Sequence, residues 1–104
     1  MTLFPIQRDW SAYRWLHIEF TVSGRPLPVT FSVRDGRRAV PPKQRFDQYA
    51  VYSSGRHRAT IDMRQIARGS AEVAPVDVAA VQSFHIIVGR AVSEPVRLHR
   101  IWLE

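Results

Sequence analysis

The stretch Leu16–Ser23, LHIEFTVS, decides the fold class because apolar and polar side chains alternate along its whole length. Successive side chains of a β-strand point to opposite faces, so this pattern predicts a strand with one buried and one solvated face. The predicted inward set is Leu16, Ile18, Phe20 and Val22.

Alternation of this kind recurs along the chain between turn-forming residues. Ser23–Pro26 predicts a turn, after which every second residue from Leu27 to Val33 is apolar. Many short alternating segments with hardly any helix predict a single antiparallel β-sandwich domain over residues 1–104. The predicted strands are 16–22, 27–34, 48–52, 57–62, 84–89 and 96–103.

The third of these strands is short and carries apolar side chains on both faces. We predict that Tyr49 and Val51 face the core, whereas Gln48 and Tyr52 face solvent. The preceding segment has two consecutive prolines and dense charge, so a loop is predicted there. A short return strand over Arg37–Val40, behind an Asp-Gly turn, is the alternative.

The last strand changes parity part-way along. Val96 and Leu98 share one face, whereas Ile101 and Leu103 share the other. One extra residue near His99–Arg100 would form a β-bulge and return both pairs to the core, because it shifts the register by one. The tryptophan that precedes Leu103 would then point outward.

Short helical segments are predicted in two places. Asp62 can cap a helical turn over Met63–Ala67, and Gly69 can end it. A second short turn is predicted from Asp77.

Aromatic residues crowd in front of the first strand. Trp10 and Tyr13 are predicted to pack across the end of the sandwich, since aromatic rings bury large areas when their polar tips find partners. Trp15 has outward parity, as Trp102 does on the last strand. These two form either an exposed aromatic pair or a surface covered by the missing strand, a helix or a subunit contact, and a packing role is favoured.

Composition excludes several classes of site and partner. The chain has no cysteine, its four histidines fall on four predicted strands, and its nine carboxylates show no recognisable pair. We therefore predict no metal site, no cofactor and no catalytic residue. The net charge of +6 comes with arginines spread from Arg8 to Arg100 and no nucleic-acid-binding motif, so no nucleic-acid partner is predicted. No apolar run approaches the ~18 residues of a membrane span, and the N-terminus lacks the pattern of a signal peptide, so no membrane insertion is expected.

The order of these signals is characteristic. The chain carries DWSAY (9–13) before a strand, a strand ending at Asp35, RF (45–46), MRQIA (63–67) after a strand, PVDVAAV (75–81) before the next and RIWL (100–103) at the end. This order resembles the galactose-binding-like jelly rolls of carbohydrate-binding modules, particularly family 11 modules and the related domain behind VanZ-like membrane segments in bacteria. The similarity covers Asp9 to Leu103. It implies a jelly-roll β-sandwich that binds carbohydrate or cell-envelope glycan at a cell-surface or extracytoplasmic location.

Two departures from the family bear on sites and partners. The family commonly carries an acidic residue before its terminal Ile-Arg-Leu, where this chain has His99–Arg100, so no calcium is expected there. The family usually has one or two strands ahead of the Asp-Trp motif, which this chain is predicted to lack. Both sheet edges would then be unpaired, and we expect a second copy or the missing part of a longer parent chain to cover at least one.

Jelly-roll order places 96–103, 16–22 and 57–62 in one sheet and 84–89, 27–34 and 48–52 in the other. A sugar site needs a flat ring for the apolar sugar face and planar hydrogen-bonding groups beside it, on a rigid sheet face. The second sheet is predicted to provide both, with Tyr52 stacking and the other groups hydrogen bonding, and a merely solvated face is the alternative. Its predicted outward set is Ser32, Arg34, Gln48, Tyr52, His85 and Ile87, of which Arg34, Gln48, Tyr52 and His85 are the predicted ligand-binding residues.

The sequence therefore favours a non-catalytic binding module for carbohydrate or cell-envelope glycan. The rival interpretation is a structural or assembly domain that pairs through its sheet edges or through the surface around Trp15 and Trp102. An acidic polymer is a third kind of ligand, which steep salt dependence would distinguish.

Overall fold

The alternating segments form two antiparallel sheets in the computed structural model, which describes residues 2–3, 5–35, 45–69, 75–89 and 96–104. The predicted β-sandwich is confirmed, and its jelly-roll connectivity stays a prediction. The strands are β1 Thr2–Leu3, β2 Trp15–Val22, β3 Leu27–Asp35, β4 Arg45–Tyr52, β5 Gly55–Asp62, β6 Val81–Val88 and β7 Val96–Leu103, and the helix is α1 Met63–Arg68.

Strand order divides the chain into a four-stranded sheet, β1-β6-β3-β4, and a three-stranded sheet, β5-β2-β7. The predicted membership of both sheets is confirmed. One strand was not predicted: β1 precedes the Asp-Trp motif and pairs Thr2 with His85 and Leu3 with Phe84. It covers part of the β6 edge, whereas β7 ends its sheet among the described residues.

The core lies between the inner faces of the two sheets, where the predicted apolar sets of β2 and β3 are fully buried. Phe20 of β2 meets Phe31 of β3 edge-on with ring centroids 5.6 Å apart, and Phe31 stacks on Phe84 of β6 at 6.0 Å. Burial of one such side chain stabilises the fold by about 2 kcal/mol.

Trp10 closes one end of this core, as predicted. Its side chain is buried, its indole N–H donates to the Gln7 carbonyl at 2.7 Å, and its backbone N–H donates to the Val78 carbonyl at 2.7 Å. The prediction for Tyr13 was wrong, because its ring is exposed. The Tyr13 backbone N–H donates to the Trp10 carbonyl at 3.0 Å, so the chain turns there toward β2.

The prediction for the faces of β4 was also wrong. Phe46 is buried opposite Val33, and from there every second residue faces the core as far as Tyr52. The Tyr52 ring packs edge-on against Phe20 at 4.9 Å, and burial raises the pKa of its phenol. Tyr49 therefore faces solvent, together with Val51.

Two local predictions are confirmed. The register of β7 against β2 shifts between Arg100 and Leu98, so His99 is the extra residue of a bulge. The two apolar pairs that it separates both pack on the core, namely Val96 with Leu98 and Ile101 with Leu103. The helix predicted over Met63–Ala67 runs one residue further, to Arg68; Asp62 accepts a hydrogen bond from the Arg64 backbone N–H at 2.9 Å, and Gly69 ends the helix with φ 75°. The alternative return strand over Arg37–Val40 lies outside the described residues. No helix in the described ranges is long and apolar enough to cross a membrane.

Deletion of His99 tests the bulge. Removing the extra residue leaves every second residue of β7 facing inward, so the variant should unfold cooperatively with a stability close to the parent. Deletion of Thr60, an exposed residue of the unbulged strand β5, should cost at least about 2 kcal/mol because it moves Ala59 or Ile61 out of the core. Urea denaturation measures both, and equal losses would contradict the bulge assignment.

Candidate functional site

The outer face of the four-stranded sheet carries two of the four predicted ligand-binding residues. Arg34 and His85 lie there, on β3 and β6. Gln48 and Tyr52 do not, because Gln48 pairs with inward Phe31 and Tyr52 contacts the core. The four residues predicted to form one site are therefore divided between the two faces of the sheet.

A row of polar side chains crosses this outer face. Thr2 pairs with His85, His85 with Ser32, and Ser32 with Asp47, so the four residues lie side by side on adjacent strands. We call Thr2, His85, Ser32 and Asp47 the polar row. Arg34 lies next to it, two residues along β3 from Ser32.

The imidazole of His85 is fixed at both ring nitrogens. Nδ1 lies 3.0 Å from the Thr2 hydroxyl, and Nε2 lies 2.9 Å from the hydroxyl of buried Ser83. A neutral imidazole has one donor and one acceptor nitrogen, so one hydroxyl accepts and the other donates. These contacts hold the ring in one orientation on the sheet face.

Two polar atoms of this face have hydrogen-bonding capacity left over. Ser32 is fully buried, and neither its hydroxyl nor Nε of Arg34 has a hydrogen-bond partner among the described residues. Buried polar atoms are normally hydrogen-bonded, so these two atoms are exceptions within the part of the chain that the structure describes.

An apolar strip runs beside the polar row. Thr30 pairs with Tyr49 on one side and with Ile87 on the other, so these two side chains flank it on the outer face. Tyr49 is 65% exposed, Val51 56% and Ile87 45%. The sequence interpretation missed Tyr49 and Asp47 as site residues. If Phe46 had been assigned to the strand as a core residue, alternation would have placed Asp47 and Tyr49 on the outer face.

The outer face of the three-stranded sheet has a different character. Trp102 points outward, as predicted, and stacks on His17 with ring centroids 4.9 Å apart. His17 is buried, with Nδ1 3.0 Å from the Thr60 hydroxyl and Nε2 donating to the Glu104 carboxylate at 3.2 Å. Trp15 is half-buried under Arg14 and makes no ring contact with Trp102. Each tryptophan is thus covered by its own neighbours, and the predicted exposed pair is not formed.

A cavity of about 350 Å³ lies where β1 and β7 end the two sheets. Its walls are mostly apolar and include Leu3, Phe84 and Ile101, with the fully exposed Ile6 at its margin. The cavity adjoins side chains of β7 that are only partly buried.

The described part of the chain contains no group of three or more His, Asp or Glu side chains that could hold a metal ion. No protein-family model matches this chain, and no curated protein or solved structure matches it either.

Proposed function

We propose that this domain is a non-catalytic, jelly-roll binding module that takes carbohydrate, such as a cell-envelope glycan, on the outer face of its four-stranded sheet. The observation that carries the proposal is the exposed Tyr49 ring lying beside the polar row. Sugar recognition combines an apolar ring surface with a few fixed polar groups, and this face offers both.

Each side of the face has its own role in this proposal. Tyr49 stacks on the apolar face of a pyranose ring, and Ile87 and Val51 extend the apolar surface. Thr2 and Ser83 engage both ring nitrogens of His85, so the exposed Thr2 hydroxyl, held in a fixed orientation by the ring, meets the hydroxyl groups of the sugar. Arg34 donates hydrogen bonds from its guanidinium to hydroxyl groups of the sugar. The resemblance to the VanZ-associated domain supports a cell-surface or extracytoplasmic location.

A glycan array with the Tyr49→Ala variant tests this function. The parent protein should bind one or more glycans, and Tyr49→Ala should bind about tenfold more weakly because the stacking surface is gone. Tyr13→Ala, which removes an exposed tyrosine outside the site, should bind as the parent does. Absence of binding to any glycan, or equal losses in both variants, would rule the proposal out.

A second candidate function is assembly through the open edge of the sandwich. The specific observation in its favour is the apolar cavity beside β7, one of the two edge strands of the three-stranded sheet among the described residues. An added strand from a second copy, or from another part of a longer parent chain, would pair with β7 and fill this cavity.

Sedimentation measurements test this second function. The parent protein should form a dimer as its concentration rises, and Ile6→Glu should remain monomeric because it places a charge at the margin of the cavity. Ile87→Glu makes the same change on the opposite side of the four-stranded sheet and should still dimerise. A parent protein that is monomeric at the highest attainable concentration excludes self-assembly through this edge.

A further inference from the structure

Four arginines flank the middle strand on the outer face of the three-stranded sheet. Thr21 of β2 lies opposite Arg56 on β5 and Arg97 on β7. Two residues earlier, Glu19 lies opposite Arg58 and Arg100 in the same way. Directly paired residues share a face of the sheet, so all four arginines project from one side. We call Arg56, Arg58, Arg97 and Arg100 the arginine face.

The arginine face carries an excess of positive charge. Its one central carboxylate, Glu19, accepts hydrogen bonds from Arg56 at 3.0 Å and Arg58 at 3.1 Å, and the Arg56 hydrogen bond is the main cause of a lowered pKa for this carboxyl. Arg97 and Arg100 form no ion pair with any carboxylate in the described ranges. Four arginines and one glutamate leave a local net charge of +3.

Trp102 holds two of these guanidinium groups in place. The guanidinium carbon of Arg100 lies 4.3 Å from the ring centroid of Trp102, and that of Arg58 lies 5.1 Å from it. A guanidinium stacked on an aromatic ring keeps its in-plane N–H groups free to meet carboxylate, sulfate or phosphate oxygens. Because His17 and these two arginines surround the ring, Trp102 is not free to stack on a base or a sugar.

The spacing of the four arginines favours an extended anion over a small one. Strands in a sheet lie about 5 Å apart, so the arginines of β5 and β7 are separated by about 10 Å across β2. A small anion can contact one pair. A polymer with anionic groups along its length can contact the β5 pair and the β7 pair at once. Binding to one pair raises the effective concentration of the polymer at the other pair, which increases the overall affinity.

We propose that the arginine face binds an anionic polysaccharide, whose acidic groups recur along a flexible chain. Single-stranded nucleic acid is disfavoured because it binds sheet surfaces largely by stacking bases on free aromatic rings. The arginine face belongs to the other sheet from Tyr49, so this inference does not depend on the proposed function.

Binding of polygalacturonate, measured by isothermal titration calorimetry at low salt, tests the inference. The parent protein should bind it with an affinity that falls steeply as salt is added, and should not bind neutral dextran. The double variant Arg97→Gln/Arg100→Gln should bind about tenfold more weakly. Arg8→Gln/Arg68→Gln removes the same charge from exposed sites elsewhere and should leave the affinity unchanged.

One further variant and a second readout make the test independent of folding and of the proposed carbohydrate site. Glu19→Gln releases Arg56 and Arg58 from their carboxylate partner and should strengthen binding, a gain that loss of structure could not produce. Arg97→Gln/Arg100→Gln should leave binding on the glycan array unchanged for neutral glycans, because both arginines lie on the other sheet from Tyr49. The inference is overturned if polygalacturonate fails to bind, if both double variants lose affinity equally, or if an oligodeoxythymidine binds as tightly.

Discussion

The contact between Phe20 and Phe31 joins the two sheets, and the other features of the structure depend on it. Backbone hydrogen bonds run within each sheet, so the sheets are held face to face mainly by apolar side chains. Phe84 continues the aromatic cluster within the four-stranded sheet, and Tyr52 packs against both phenylalanines near the start of β5. Trp10 closes the end of the core that lies away from Tyr52. Because these rings fix which residues point inward, they also fix which residues are presented to solvent.

The two outer faces follow from that assignment and differ in chemistry. On the four-stranded sheet, the residues that alternate with the core residues face outward, and they include an oriented histidine, a partly buried arginine and an exposed tyrosine. On the three-stranded sheet, the same alternation brings four arginines around one glutamate and stacks two of them on Trp102. One face therefore suits a ligand with an apolar surface and hydroxyl groups, and the other suits a ligand with repeated negative charges.

Much of this architecture could be predicted from periodicity alone. The alternation of β2 and β3 is long enough to define their inner faces, and the parity change in β7 identified the bulge at His99. The faces of β4 could not be assigned correctly, because the strand was predicted to begin at Gln48 and Phe46 was left in the loop. The two residues of β1 are too few to form a pattern.

The sites were harder to predict than the fold because they depend on pairing between distant strands. Reversing the faces of β4 placed Gln48 and Tyr52 in the site and left Tyr49 out of it. His17 has outward parity yet is buried, since Trp102 from another strand covers it. The arginine face has no sequence signature, because its residues are brought together only by the registers of β5 and β7 with β2.

A double-mutant cycle between Phe20→Leu and Phe31→Leu tests the central contact most directly. The free energy of unfolding of the parent, both single variants and the double variant is obtained from urea denaturation. If the two rings join the sheets as described, the losses should be non-additive by about 1 kcal/mol. Strictly additive losses, or variants as stable as the parent, would contradict the account.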